Sequence, residues 1–231
     1  MSEPIVFVPG LLCTEALFAS QIAAFSDRPI MVANHRDDDS IDTIAARLLN
    51  DAPERFSLIS LSMGGYIAMS VMRQAPERVS RLALLNTNAR ADTQDQSERR
   101  RFLVDLARKK GLGKIPPLLY PGFVHERNED NETLRAIVRE MAMDCGADAF
   151  VRQQTAIIGR PDARPHLADI GCPTLVIAGD GDRLMSVDVA GEIHRLIPSS
   201  DLNVIENSGH LTPLETPETV TRLLRDFLNQ A

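Results

Sequence analysis

One serine in this chain stands where a backbone can be made to present it. The apolar run Phe56–Leu61 leads into Ser62-Met63-Gly64-Gly65 and then into a helical Tyr66-Ile67-Ala68-Met69. A sharp strand-to-helix corner of this kind is a nucleophile elbow, which strains the serine backbone and lifts its hydroxyl clear of the sheet. The positions two before and two after must be small, and here they are Ser60 and Gly64. A serine hydroxyl is a weak nucleophile until a base takes its proton. Two further turns hold the groups for that task. After the run from Pro173 to Ala178 comes Gly179-Asp180-Gly181-Asp182, where either carboxylate can orient an imidazole. After the run from Leu202 to Ile205 comes Asn207-Ser208-Gly209-His210, a loop histidine ahead of the last helix. All three turns follow strands, at the edge where open α/β sheets bind their ligands.

Strands and helices alternate around these turns. Short apolar, β-branched runs occur at Ile5–Val8, which ends at Pro9-Gly10, and at residues 29–33, 56–61, 79–85, 173–178 and 202–205. Their apolar character is nearly continuous, as in strands covered on both faces. Between them, Ile41, Ile44, Ala45, Leu48 and Leu49 keep a helical period, as do Ile193, Leu196 and Ile197. The clearest stripe is the last: Val220, Leu223, Leu224, Phe227 and Leu228. The pattern predicts an α/β fold, a doubly wound, mostly parallel sheet with right-handed crossovers. The alternation stops between Asn88 and Asp169. That stretch shows two helical stripes, Phe102, Leu103 and Leu106, then Leu134, Ile137, Val138 and Met141. The Pro-rich segment from Ile115 to Gly122 reads as a loop between them. Residues 1–88 and 169–231 are therefore expected to form the sheet core, and residues 89–168 a helical insertion over one edge.

Together these features resemble the α/β-hydrolase superfamily, among it the compact capped enzymes such as enol-lactonases, small esterases and proline iminopeptidase-like proteins. The resemblance runs over essentially the whole chain, from the first strand and Pro-Gly turn through elbow, insertion, acid turn and histidine turn to the last helix. It implies an α/β-hydrolase fold in which the insertion is a cap. It also implies the chain order nucleophile, acid, base, which Ser62, Asp182 and His210 keep. The family's acid lies three residues after the strand-ending glycine, which points to Asp182 over Asp180. The resemblance further implies an oxyanion hole. One donor is the N–H of the residue after the nucleophile, Met63. The other is that of the residue after Gly10, Leu11, with Leu12 the alternative if the turn is shifted. Three departures stand out. Ser60 replaces a commoner Gly, no His precedes Gly10, and the chain starts at what would be the family's third strand.

A serine at the elbow argues against the dehalogenases and epoxide hydrolases of this fold, which use Asp there, and no Trp is present to bind a halide. The resemblance implies a serine hydrolase that cleaves a small or medium carboxylic ester or lactone through an acyl-enzyme. Carbon–carbon bond hydrolases, aminopeptidases and small-molecule receptors that retain the triad stay open as alternatives. Candidate substrate contacts are Leu12, Tyr120, Phe123 and His125.

The 231 residues carry 25 Lys and Arg against 32 Asp and Glu, a net charge of −7. That balance argues against a nucleic-acid partner. At 44% apolar residues the chain can bury a core without staples. The three cysteines, Cys13, Cys145 and Cys172, make a poor disulfide framework. No apolar run approaches the ~20 residues that span a bilayer, and no basic region precedes the first strand. The expectation is a cytoplasmic protein, monomer or homodimer, with a small-molecule substrate and no membrane partner. His35, His125, His166 and His194 do not cluster at ligand spacing, so no metal or cofactor is expected. Asp37-Asp38-Asp39 reads as charge at a helix N-terminus. Arg99-Arg100-Arg101 reads as a solvated helix face or as a guide for anionic substrates.

Overall fold

The computed structural model describes residues 2–229. Six strands form one sheet: β1 (Ile5–Val8), β2 (Ile30–Val32), β3 (Phe56–Leu61), β4 (Val79–Leu85), β5 (Thr174–Gly179) and β6 (Ser200–Ile205). Their order is β2-β1-β3-β4-β5-β6. Every neighbouring pair is parallel, so the sheet is wholly rather than mostly parallel. The chain steps outward from β1 to β2, then returns to lay β3 on the other side of β1. That reversal is a topological switch point, and the ligand crevice of such a sheet opens beside it, at the carboxyl ends of the strands.

Helices cover both faces. α2 (Ile41–Asp51), α3 (Met63–Gln74) and α7 (Val187–Leu196) pack on one face, and α1 (Ala19–Ala24) and α9 (Pro217–Leu228) on the other. Alternate strand residues serve the two layers. Val6, Leu58, Leu82 and Val176 enter the first core; Phe7, Ile59, Ala83 and Ile177 enter the second. Burial on both sides is why β1, β3 and β5 read as nearly continuous apolar runs; the edge strands β2 and β6 are only partly covered. No helix among the described residues is long and apolar enough to cross a membrane.

Between β4 and β5 lie α4 (Gln94–Lys110), α5 (Ile115–Phe123) and α6 (Glu132–Ile158). A third apolar cluster joins Leu103, Val104, Ala107, Ile115, Ala142 and Phe150 to Leu12, from the loop after β1. Two details differ from the sequence reading. The Pro-rich segment is helix α5, not a loop. Pro116 and Pro117 lie in its first turn, where a missing N–H has no intrahelical acceptor, and only Pro121 sits inside. Phe102 is 63% exposed, because α4 turns Leu103, Val104 and Ala107 inward instead. α6 breaks at Gly146, whose φ of 83° is a conformation glycine enters at no steric cost.

Candidate active site

Ser62 joins β3 to α3 with φ 56° and ψ −115°, a strained conformation for a residue with a side chain. The surroundings hold it there. The Ser62 N–H donates to Leu85 O at 3.0 Å, and Gly65 N–H donates to Ser62 O at 2.9 Å. The Thr87 hydroxyl donates to the same Ser62 oxygen at 2.8 Å. α3 then leaves the corner hard against the end of β1. A Cβ at Gly64 would lie 2.1 Å from Val8 O, so no side chain fits. Ser60, where the family more often has glycine, is fully buried and donates to Ala83 O at 3.0 Å. Its extra hydroxyl therefore has a partner.

The turn after β5 carries Asp182, and the turn after β6 carries His210. His210 Nδ1 lies 2.8 Å from Asp182 Oδ2, and both side chains are buried. The carboxylate is fully committed. Oδ1 accepts the backbone N–H groups of Leu184 at 2.8 Å and Met185 at 3.0 Å. Oδ2 accepts from His210 and, at 2.9 Å, from Asn86 Nδ2. Burial alone would raise the acid's pKa, but the charge of His210 and these donors outweigh it and hold the carboxyl below its usual range. An ionised Asp182 can only accept, so Nδ1 carries the hydrogen and Nε2 is left as a base. Asp180 does other work: its Oδ1 accepts the Ser208 N–H at 3.2 Å and shapes the histidine turn.

Ser62 and His210 line one cavity of about 200 Å³. The Ser62 hydroxyl makes no hydrogen bond among the described residues; contacts of this kind often close only around a bound substrate. Leu11 lines the same cavity and Met63 begins α3. Among the described residues neither backbone N–H donates to a backbone carbonyl outside α3, so both are free. Leu12 is not: its N–H donates to Gln153 Oε1 at 3.1 Å. Cys13 also lines the cavity, but burial, reinforced by Cys145, pushes its thiol up to about 12. A thiol held protonated is a poor nucleophile.

Of the four candidate substrate contacts, only Phe123 lines this cavity, and its ring stacks on His210 with centroids 6.0 Å apart. Leu12 is drawn into the α4–α6 cluster. Tyr120 is buried, its hydroxyl donating to Asn128 O at 2.7 Å and Asn131 O at 3.1 Å. His125 turns its Nδ1 to the Arg127 N–H at 3.1 Å. Their side chains serve the frame beside the site.

Three supporting residues escape a reading of the sequence. Asn86, at the end of β4 with φ 46°, donates to Asp182 and to Gly209 O at 3.2 Å, while its Oδ1 accepts the Thr212 hydroxyl at 2.7 Å. It thus locks the acid turn to the histidine turn. Glu215, in α8 (Thr212–Glu215), accepts the N–H of Gly209 at 2.9 Å and that of His125 at 2.7 Å, tying the histidine turn to the segment after α5. Gln153 of α6 holds the loop after β1. The polar run Asn86-Thr87-Asn88 at a strand's carboxyl end is a signal that could have found the first; nothing local marks the other two.

His35 props the same loop from below, its Nε2–H donating to Gly10 O at 2.9 Å. Burial, against the pull of that carbonyl, lowers its pKa from 6.5 to about 4. The buried Nδ1 has no partner. In the unfolded chain His35 takes up its proton near 6.5, and in the folded one only near 4. Between those values the unfolded state binds more protons, so this contribution to stability is complete above the upper value and lost as pH falls towards the lower one. The expected loss is about 3 kcal/mol. Urea unfolding at about pH 7 and about pH 4 should show the acid penalty reduced by that order in His35→Gln. An unchanged pH dependence in the variant would contradict this account.

Comparison with known proteins gives a consistent picture. A sequence model of the alpha/beta hydrolase fold matches residues 24–217. The chain is 30% identical over 183 residues to a 2-hydroxy-6-oxononadienedioate/2-hydroxy-6-oxononatrienedioate hydrolase of Paraburkholderia phymatum, covering 77% of this chain and 63% of that one. It is 26% identical over 212 residues to a pimeloyl-[acyl-carrier protein] methyl ester esterase of Photobacterium profundum, covering 82% and 77%. Among solved structures, a thermophilic esterase of Thermogutta terrifontis superposes with a TM-score of 0.89 at 26% identity, over 99% of this chain and 90% of that one. The enol-lactonase of Burkholderia xenovorans LB400 has the same fold, with a TM-score of 0.90 at 22% identity over 100% and 92%.

Proposed function

Because this chain belongs to the alpha/beta hydrolase fold family, we propose that it is a serine hydrolase of a small or medium carboxylic ester or lactone, working through an acyl-enzyme. The observation that carries this reading is the buried Asp182–His210 pair at 2.8 Å, opening onto the same cavity as a strained Ser62. His210 Nε2 takes the Ser62 proton as Oγ adds to the substrate carbonyl. The N–H groups of Leu11 and Met63 receive the oxyanion, and each such donor contributes about 3 kcal/mol. Collapse breaks the bond to the alcohol oxygen, which leaves with the proton held by His210. Water then adds to the acyl group on Ser62, with His210 again as base, and the carboxylic acid departs. Ester and water give acid and alcohol, and Ser62 and His210 are restored. The carboxylate of Asp182 stabilises the imidazolium at both stages.

Intact-mass labelling with a fluorophosphonate tests the reading. A single adduct, mapped to Ser62 and absent in His210→Ala, is the expected result. A folded protein that takes no label would overturn it. The kinship with 2-hydroxy-6-oxononadienedioate hydrolases supports a second reading, in which the same triad cleaves a carbon–carbon bond of an oxo acid. Turnover of simple esters separates the two.

A further inference from the structure

We infer that the substrate carries a carboxylate remote from the bond that is cut, and that Arg99 and Gln154 receive it. The inference takes the cleaved bond from the hydrolase reading above, but the binding it describes does not need turnover.

The chain as a whole is acidic, with a net charge of −7. Yet no Asp or Glu among the described residues lines the cavity that holds Ser62 and His210, whereas Arg99 and Arg100 of α4 and Gln154 of α6 do. Gln154 is 1% exposed. Its Oε1 accepts from Arg100 Nη1 at 3.1 Å. A guanidinium can only donate, so the orientation of the amide is settled. Its Nε2 then faces the other way, buried and without an acceptor. A buried donor left unpaired is costly, and what would satisfy it is an acceptor oxygen from a ligand.

The charges around this donor point to an anion. Arg100 pairs with Asp92 at 2.7 Å, and the same carboxylate also holds Arg160. Two guanidiniums share one carboxylate, leaving one positive charge in excess. Arg160 lies over the Tyr66 ring, 4.2 Å from its centroid, and Tyr66 forms part of the cavity wall. Arg99 adds a second positive charge, and it makes no hydrogen bond or ion pair among the described residues. A substrate carboxylate meets each of these demands. One oxygen accepts the Gln154 N–H, and the group as a whole takes the fork of Arg99, a geometry that planar guanidinium and carboxylate share. The arginine run of the sequence is thus divided: Arg99 is free to bind, and Arg100 is spent on building the site.

The test compares charged and neutral esters of equal length. Monomethyl esters of dicarboxylic acids from succinate to suberate, and acetate esters of hydroxy acids, are each set beside the neutral ester that lacks the carboxylate. At least one charged series should show kcat/KM about 10- to 100-fold above its neutral counterpart, the scale of a hydrogen-bonded charge pair. In Arg99→Gln that ratio should collapse towards one. Added salt should narrow it in the parent protein, since Arg99 is exposed. Calorimetric binding of the same compounds to Ser62→Ala repeats the comparison without chemistry. Arg99-dependent binding of charged compounds with no hydrolysis by the parent protein would defeat the hydrolase reading and uphold the carboxylate site. Ester hydrolysis with no preference for either charged series, or a preference that survives Arg99→Gln, would overturn the carboxylate site and leave the hydrolase reading standing.

Discussion

Ser62→Ala is expected to lower kcat on the best ester by about 10⁶-fold while the protein stays folded. The size follows from the role. With Oγ gone, no acyl-enzyme can form, and what remains is water attacking a carbonyl held by the oxyanion donors. The folded state should barely notice. Ser62 is held through its backbone, by Leu85 O, Gly65 N–H and Thr87 Oγ1, and its hydroxyl makes no bond among the described residues. Alanine keeps the Cβ and the same strained corner. His210→Ala should cost a similar factor, and the double variant little more, because the two residues act as one unit. Single-turnover kinetics and urea unfolding of the three variants decide the matter. A loss of less than a hundredfold in Ser62→Ala would mean that the reaction does not pass through this serine.

Asp182→Asn should lower kcat by about 10⁴-fold, through the wrong tautomer rather than through lost structure. The carboxylate accepts at both oxygens: two backbone N–H groups on Oδ1, His210 and Asn86 on Oδ2. An amide must place its NH₂ at one of these ends. At Oδ1 it would confront two fixed main-chain donors from Leu184 and Met185. The other end has partners that can adjust, so the NH₂ comes to face His210. The imidazole then accepts at Nδ1 and carries its hydrogen on Nε2, where it can no longer take the Ser62 proton. The variant should also lose fluorophosphonate labelling while its unfolding midpoint moves little. A drop of only tenfold would show that Asp182 does not set the histidine tautomer, and would return attention to Asp180.

Much of this molecule is legible in the chain itself. The central strands announce themselves because both of their faces are buried, so residues such as Val6 and Phe7 are apolar whichever way they point. The α9 stripe reads plainly because a helix on a flat sheet buries one face only. Ser62 is legible because a strained corner restricts its neighbours, and the restriction at Gly64 comes from a main-chain oxygen that no side chain could avoid. Local rules of this kind leave local traces.

The tertiary structure alone decided the rest, and the reason is the same throughout. A hydrogen bond between residues far apart leaves no period and no spacing. Asn86 reaches Asp182 across 96 positions, and Gln153 reaches Leu12 across 141. Tyr120 and His125 have the residue types of substrate contacts, but which side chain faces the cavity depends on how α5 and its flanking turns settle on the sheet. The same holds for the arginines of α4. Three in a row look alike in sequence, and only the positions of Asp92 and Gln154 make one of them structural and leave its neighbour free. The turns that hold Ser62, Asp182 and His210 are marked in the chain itself. The shape and charge of the space before them come from packing between segments that the sequence keeps apart.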